Sequence, residues 1–163
     1  MSLRNRTSTS LIGIGVTSLV VALAGAASGC NSSDSTTPTS PTTQTITTDV
    51  LTGTVPPPVN GVLQSAYNTF TVGQGGGTVT VTLTSAVETL PGGALLTTVT
   101  MGLGVGNVSG SSCTLMQNAY TVAQASSVPQ LTGSLSAGTY CVQVSDASNQ
   151  LGPVAYAVAV AHP

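Results

Sequence analysis

Residues 135–160, LSAGTYCVQVSDASNQLGPVAYAVAV, constrain the fold more than any other part of the sequence. Tyr140, Val142 and Val144 alternate with polar or small residues. After a polar turn, Val154, Tyr156, Val158 and Val160 do the same. A period of two places successive side chains on opposite faces, so each run reads as a strand with one face buried. Two such strands need a second layer to cover their apolar side, which makes a two-sheet architecture the natural solution.

The rest of the chain follows the same rhythm. Asn68–Val72 offers Phe70 and Val72 to one face, and Gly73-Gln-Gly-Gly-Gly77 is a turn. Thr78–Thr84 has the cleanest alternation, with Val79, Val81 and Leu83 inward and threonines outward. Pro91-Gly-Gly93 turns into a segment where Val99, Met101, Leu103 and Val105 share a face. There Gly102 and Gly104 fall on the other face and mark a bulge or a close approach. Cys113–Met116 reads as a short strand, followed by a variable stretch to Ser127. Lys, Arg and Glu are scarce while β-branched residues abound. The expected class is all-β: a jelly-roll-like antiparallel β-sandwich of about seven to nine strands.

Charge narrows the function. The two basic residues, Arg4 and Arg6, lie at the extreme N-terminus, and the acids are Asp34, Asp49, Glu88 and Asp146. Without its first residues the chain has no Lys or Arg to neutralise phosphate, which excludes nucleic-acid binding and electrostatic attachment to anionic lipid.

The N-terminus is laid out as an export signal: a basic start, an apolar run from Leu11 to about Ala24, then small residues up to Cys30. The apolar run is shorter than the roughly 20 residues a membrane span needs. Ala27-Ser28-Gly29-Cys30 resembles the lipobox of bacterial lipoproteins, with Ala27 where the family usually carries a larger aliphatic. That resemblance implies that Cys30 is lipidated, becomes the mature N-terminus and anchors the protein in the membrane. Asn31 in the following position implies the outer membrane where the cell has one. The alternative is an ordinary signal peptide cut near Ala27. The two or three acyl chains of such an anchor hold stably, whereas one chain holds marginally.

Residues 30–58 are rich in Ser, Thr and Pro and read as a tether, with a reach of about 25–30 Å as a flexible coil. Ile46–Val55 alternates weakly, and its alternative is an edge strand of the sandwich. Asp34-Ser35-Thr36 resembles a bacterial O-glycosylation triplet, against the simpler reading of plain linker. The expected organisation is a signal peptide over 1–29, a tether over 30–58 and a sandwich over 59–163.

The order of strands from Phe70 through Leu135-Ser-Ala-Gly-Thr-Tyr140 to Tyr156-Ala-Val-Ala-Val160 resembles the bacterial pre-peptidase C-terminal domain, over about Gly61 to His162. The family's middle strand is often aspartate-rich, whereas Thr97–Gly106 has no carboxylate. The resemblance implies an accessory, binding or folding role with no catalytic residues, usually beside a secreted hydrolase.

Candidate chemistry is sparse. Once Cys30 is lipidated, Cys113 and Cys141 remain as a disulfide pair in an oxidising compartment, on the face opposite Tyr140 and Val142. His162, next to the C-terminus, reads as a solvated tail residue rather than a catalytic base. Glu88 with Asp49 or Asp146 is a poor acid pair for glycoside hydrolysis. Asp146 with nearby carbonyls is a thin ligand set for calcium, so neither metal nor cofactor is expected. Sugar platforms stack rings on exposed aromatics. With one Phe, four Tyr and no Trp, and with Tyr140 and Tyr156 expected inward, Tyr67 and Tyr120 remain as ligand-binding candidates. The expected function is non-catalytic: a lipid-anchored envelope module that binds an envelope protein or acts structurally. The rival is a carbohydrate-binding module, favoured if Tyr67 and Tyr120 lie exposed on one face.

Overall fold

The structure is a computed structural model and describes residues 44–163. The expected signal peptide, Cys30 and Asp34-Ser35-Thr36 lie outside the described residues. Nine strands form two antiparallel sheets: β1 (Thr47–Val55), β2 (Ser65–Val72), β3 (Gly77–Thr89), β4 (Leu95–Leu96), β5 (Met101–Ser109), β6 (Ser112–Ala123), β7 (Leu131–Leu135), β8 (Gly138–Asp146) and β9 (Val154–His162). The first sheet runs β1-β9-β3, with β4 and β7 pairing opposite ends of β3. The second runs β2-β8-β5-β6. The fold is the expected all-β sandwich.

Alternation builds the core. Val154, Tyr156, Val158 and Val160 of β9 face inward beside Val79, Val81 and Leu83 of β3. Opposite them stand Phe70, Val72, Met101, Leu103, Val142 and Val144 of the second sheet, all buried. Each such side chain contributes about 1.5–3 kcal/mol on burial, and β-branched valine suits a pleated surface. β3 pairs with β9 from Thr80↔Ala161 to Glu88↔Val154 by means of one bulge, where Thr84 drops out of register between Leu83 and Ser85 and its hydroxyl donates to the Ala157 carbonyl.

The sandwich begins earlier than 59. β1 pairs with β9 from Thr47↔His162 to Val55↔Val154, so Ile46–Val55 supplies an edge strand rather than tether. Its weak alternation sufficed because Leu51 and Val55 alone reach the core, while Asp49 and Gly53 take the other inward positions.

His162 is likewise not a solvated tail. β9 continues to the chain end between β1 and β3, and Gly73 N–H donates to the Pro163 carbonyl at 2.8 Å. The His162 side chain is 7% exposed, its Nε2 lies 3.1 Å from Asp49 Oδ2, and its ring sits 5.7 Å from that of Phe70. Nδ1 faces the Pro163 carbonyl at 3.1 Å. Both ring nitrogens are thus occupied by a carboxylate and a carbonyl, in the role of a clamp between the first and last strands.

Glu88 and Asp146 are also structural. Both are buried, and between them they hold the β8–β9 connection. Asp146 Oδ1 accepts N–H groups from Asn149 and Gln150, and Glu88 Oε1 accepts those of Leu151 and Gly152. One carboxylate from each sheet therefore satisfies four consecutive amides of a loop in which Gln150 and Gly152 are buried while Asn149 and Leu151 are exposed. Asp146 Oδ2 and the Gln150 carboxamide are buried without a protein partner. No group of three His, Cys, Asp or Glu side chains gathers as a metal site among the described residues.

Candidate functional site

The distinctive surface is the outer face of the second sheet, and its register sets the site. Tyr67 on β2 pairs with Gln143 on β8, Gln143 with Gly104 on β5, and Gly104 with Tyr120 on β6. Paired residues share a face, so Tyr67, Gln143 and Tyr120 stand in one row that crosses all four strands. Tyr67 is 36% and Tyr120 45% exposed. The two ligand-binding candidates occupy the two edge strands of one face.

Glycine makes the row flat. β5 presents Gly102, Gly104 and Gly106 outward, and each has a neighbour lying where a side chain would begin. A Cβ at Gly102 would clash with the Tyr120 hydroxyl and with Ser145 Oγ and sit 3.0 Å from Tyr120 Cε2. One at Gly104 would sit 3.3 Å from Tyr120 Cδ2 and 2.7 Å from a Leu115 methyl. The Tyr120 side chain, rooted on β6, therefore leans across β5 over Gly104 toward Gly102, where Ser145 Oγ of β8 also lies. One side of its ring is packed and nearly half of the residue stays open to solvent. Aromatic cover of sheet glycines also restores packing that glycine forfeits.

The third glycine serves the cysteines. Cys141 pairs with Gly106, and a Cβ at Gly106 would sit 3.0 Å from Cys113 Sγ. Cys113 and Cys141 have Cα atoms 5.9 Å apart and the geometry of a disulfide, joining β6 to β8 where the β5–β6 hairpin curls over the sheet and the Thr114 backbone lies against Gly106. As expected, the pair lies on the face opposite Tyr140 and Val142, outside the apolar core. Cys141 is nonetheless completely buried, because the bridge and the β5–β6 hairpin cover it.

Between Tyr120 and Leu115 the register breaks. The residues from Met116 to Ala119 oppose Val105 alone, with Asn118 at φ 60°. β6 is thus one strand with a wide bulge, where the sequence reading placed a short strand and a variable stretch. The bulge faces β7 across a 270 Å³ cleft floored by Val79, Val81 and Val105. That volume falls below the roughly 300–1,000 Å³ of ordinary ligand pockets, and its lining mixes aliphatic side chains with Gln117, Asn118, Thr132 and Ser134. Sequence reasoning missed the cleft and Gln143. The signal for Gln143 was its place in the alternation, two residues beyond Cys141 on the outward face.

Charge is nearly absent from this surface. The described residues contain no Lys or Arg, Glu88 and Asp146 are buried, and Asp49, with a side chain 40% exposed, belongs to the first sheet. No protein-family model, curated protein or solved structure matches this chain.

Proposed function

We propose that this chain is a non-catalytic, lipid-anchored module of the bacterial cell envelope whose sandwich binds a glycan on the face carrying Tyr67, Gln143 and Tyr120. The observation that carries the binding assignment is the row itself: two exposed tyrosines in register on one face, one of them flattened over glycine. Tyrosine supplies large, rigid contact area at low entropic cost, and the apolar faces of sugar rings stack on such surfaces while hydroxyls reach amides such as Gln143. Glycine inside a strand costs about 0.5–1 kcal/mol relative to alanine, a cost incurred at Gly102 and Gly104 where they admit the Tyr120 ring.

The anchor rests on the resemblance of Ala27–Cys30 to a lipobox and on the export signal before it. Cys30 joins the module to the outer membrane through the Ser/Thr/Pro tether, and the Cys113–Cys141 disulfide forms in the oxidising compartment beyond the inner membrane. The resemblance to the pre-peptidase C-terminal domain supports an accessory role beside a secreted hydrolase. An envelope protein is the competing partner, and nucleic acid is excluded by the missing cations.

Native affinity electrophoresis in gels containing cell-wall or surface polysaccharides tests the binding role. The secreted domain is expected to be retarded, and Tyr67→Ala and Tyr120→Ala to migrate freely, with Tm unchanged for Tyr67→Ala and lowered for Tyr120→Ala by the loss of its packing on Gly102 and Gly104. Retardation that survives both substitutions together would overturn the assignment. For the anchor, the N-terminal peptide should carry acyl chains on Cys30 by mass spectrometry, and Cys30→Ala should leave the membrane fraction.

A further inference from the structure

Resting on that glycan reading, we infer that the ligand is an uncharged, extended chain of sugars laid across the strands, spanning about two to three rings at once. Three features on the same face lead there: the length of the row, its flatness and its lack of charge.

Length follows from the register. Tyr67 stands on β2 and Tyr120 on β6, three strand spacings apart, and the Tyr120 side chain leans back over β5. Neighbouring strands lie about 4.8 Å apart, so the two aromatic surfaces are separated by about 10–14 Å. A single pyranose cannot touch both. A linear oligosaccharide running perpendicular to the strands reaches from one tyrosine to the other, with Gln143 and the Ser145 hydroxyl beside its middle ring.

Flatness selects an extended chain over a branched or coiled one. Gly102 and Gly104 let the Tyr120 ring lie close to the sheet beside the Leu115 and Ser145 side chains, and the tyrosines are fixed in a sheet rather than on loops that fold around an end group. Such a site reads the face of a polymer rather than its terminus.

Charge selects neutral sugars. A uronate, sulfate or phosphate brought to the face would lose hydration with no Lys or Arg among the described residues to replace it. An ammonium-bearing amino sugar fares no better, because the partly exposed carboxylate, Asp49, is on β1 in the other sheet, and Glu88 and Asp146 are buried. The nearby polar groups, Gln143, Ser145 and Thr69, are neutral donors and acceptors suited to hydroxyls.

Isothermal titration of the intact disulfide-bonded domain with a ladder of neutral β-linked gluco- and manno-oligosaccharides, from monosaccharide to hexasaccharide, tests this. Polygalacturonate, heparin and chitosan serve as charged probes. Affinity is expected to rise by about tenfold or more between the monosaccharide and the trisaccharide and then to level off. It should change little between 50 mM and 500 mM salt. Tyr67→Ala should flatten the ladder to its monosaccharide value while leaving the Tm unchanged. Equal affinity at every length, or tight binding to a charged probe with strong salt dependence, would overturn the inference while the glycan reading stands. No binding to any saccharide, neutral or charged, would overturn both.

Discussion

The two sheets share one interior and differ outside. On the outer face of the first sheet, rows such as Thr48–Ala161–Thr80 and Val50–Ala159–Thr82 set a strip of β9 alanines between threonines and valine. On the outer face of the second, the corresponding rows carry glycine, tyrosine, glutamine and a cysteine pair. Small methyl- and hydroxyl-bearing residues are what a solvated, charge-poor sheet uses to stay folded. Glycine in mid-strand weakens pairing, and at Gly102 and Gly104 it makes room for the Tyr120 ring that covers it. On the proposed reading, the first sheet is scaffold and the second carries the binding face.

The largest effect expected is loss of the bridge. For a loop of 28 residues, replacing Cys113 and Cys141 together by Ser is expected to cost about 3.5 kcal/mol on the chain-entropy model. Because the bridge ties β6 to β8, amide exchange should accelerate first in β5, β6 and β8. Uniform acceleration through β1, β9 and β3 would erase the distinction between the sheets.

Next, Gly102→Val is expected to destabilise by about 1–3 kcal/mol by overpacking against Tyr120 and Ser145, and to abolish saccharide binding. Its counterpart on the scaffold face, Ala159→Val, should leave binding untouched. Chemical denaturation and affinity electrophoresis of the two variants side by side read the contrast directly.

A smaller effect is expected inside, where the faces do not differ. The Tyr156 hydroxyl donates to Asn68 Oδ1 at 2.7 Å, and Asn68 Nδ2 donates to the Thr52 carbonyl, joining the sheets along one side. Tyr156→Phe leaves that oxygen short of a donor and should cost about 1 kcal/mol. Burial also pushes the Tyr156 phenol above its ordinary value of 10.0. The folded state then holds this proton more tightly than the unfolded chain. Its contribution is fully present below about pH 10 and is lost as pH rises through the folded value. Urea titrations from pH 8 to 11.5 should show a steeper alkaline decline for the parent than for Tyr156→Phe. Smallest of all, Ala157→Ser on the scaffold face should shift stability by less than about 0.5 kcal/mol.

Most of the fold was legible because alternation is a local property. Val79, Val81 and Leu83 announce a strand, and the position of Cys141 opposite Tyr140 and Val142 in the alternation placed the bridge off the core. What the sequence hid depends on pairing partners. β1 was ambiguous because only Leu51 and Val55 reach the core, and its strand character comes from hydrogen bonding to β9, which lies about a hundred residues later. His162 looked like a free end for the same reason. β6 was divided because its bulge interrupts the period of two. For the site, Tyr67 and Tyr120 stood out by scarcity, yet their common row and the glycine bed beneath Tyr120 exist only once β2, β8, β5 and β6 are in register.

The most direct test uses the scarcity of aromatics. With four tyrosines and no tryptophan, ring resonances from tyrosine labelled with ¹³C can be assigned one by one, and the intact domain can be titrated with a neutral tetrasaccharide. The rings of Tyr67 and Tyr120 are expected to shift together along one binding curve, while those of Tyr140 and Tyr156 stay in place. Saturation with only one of the two moving, or with neither, would contradict a single face built on both.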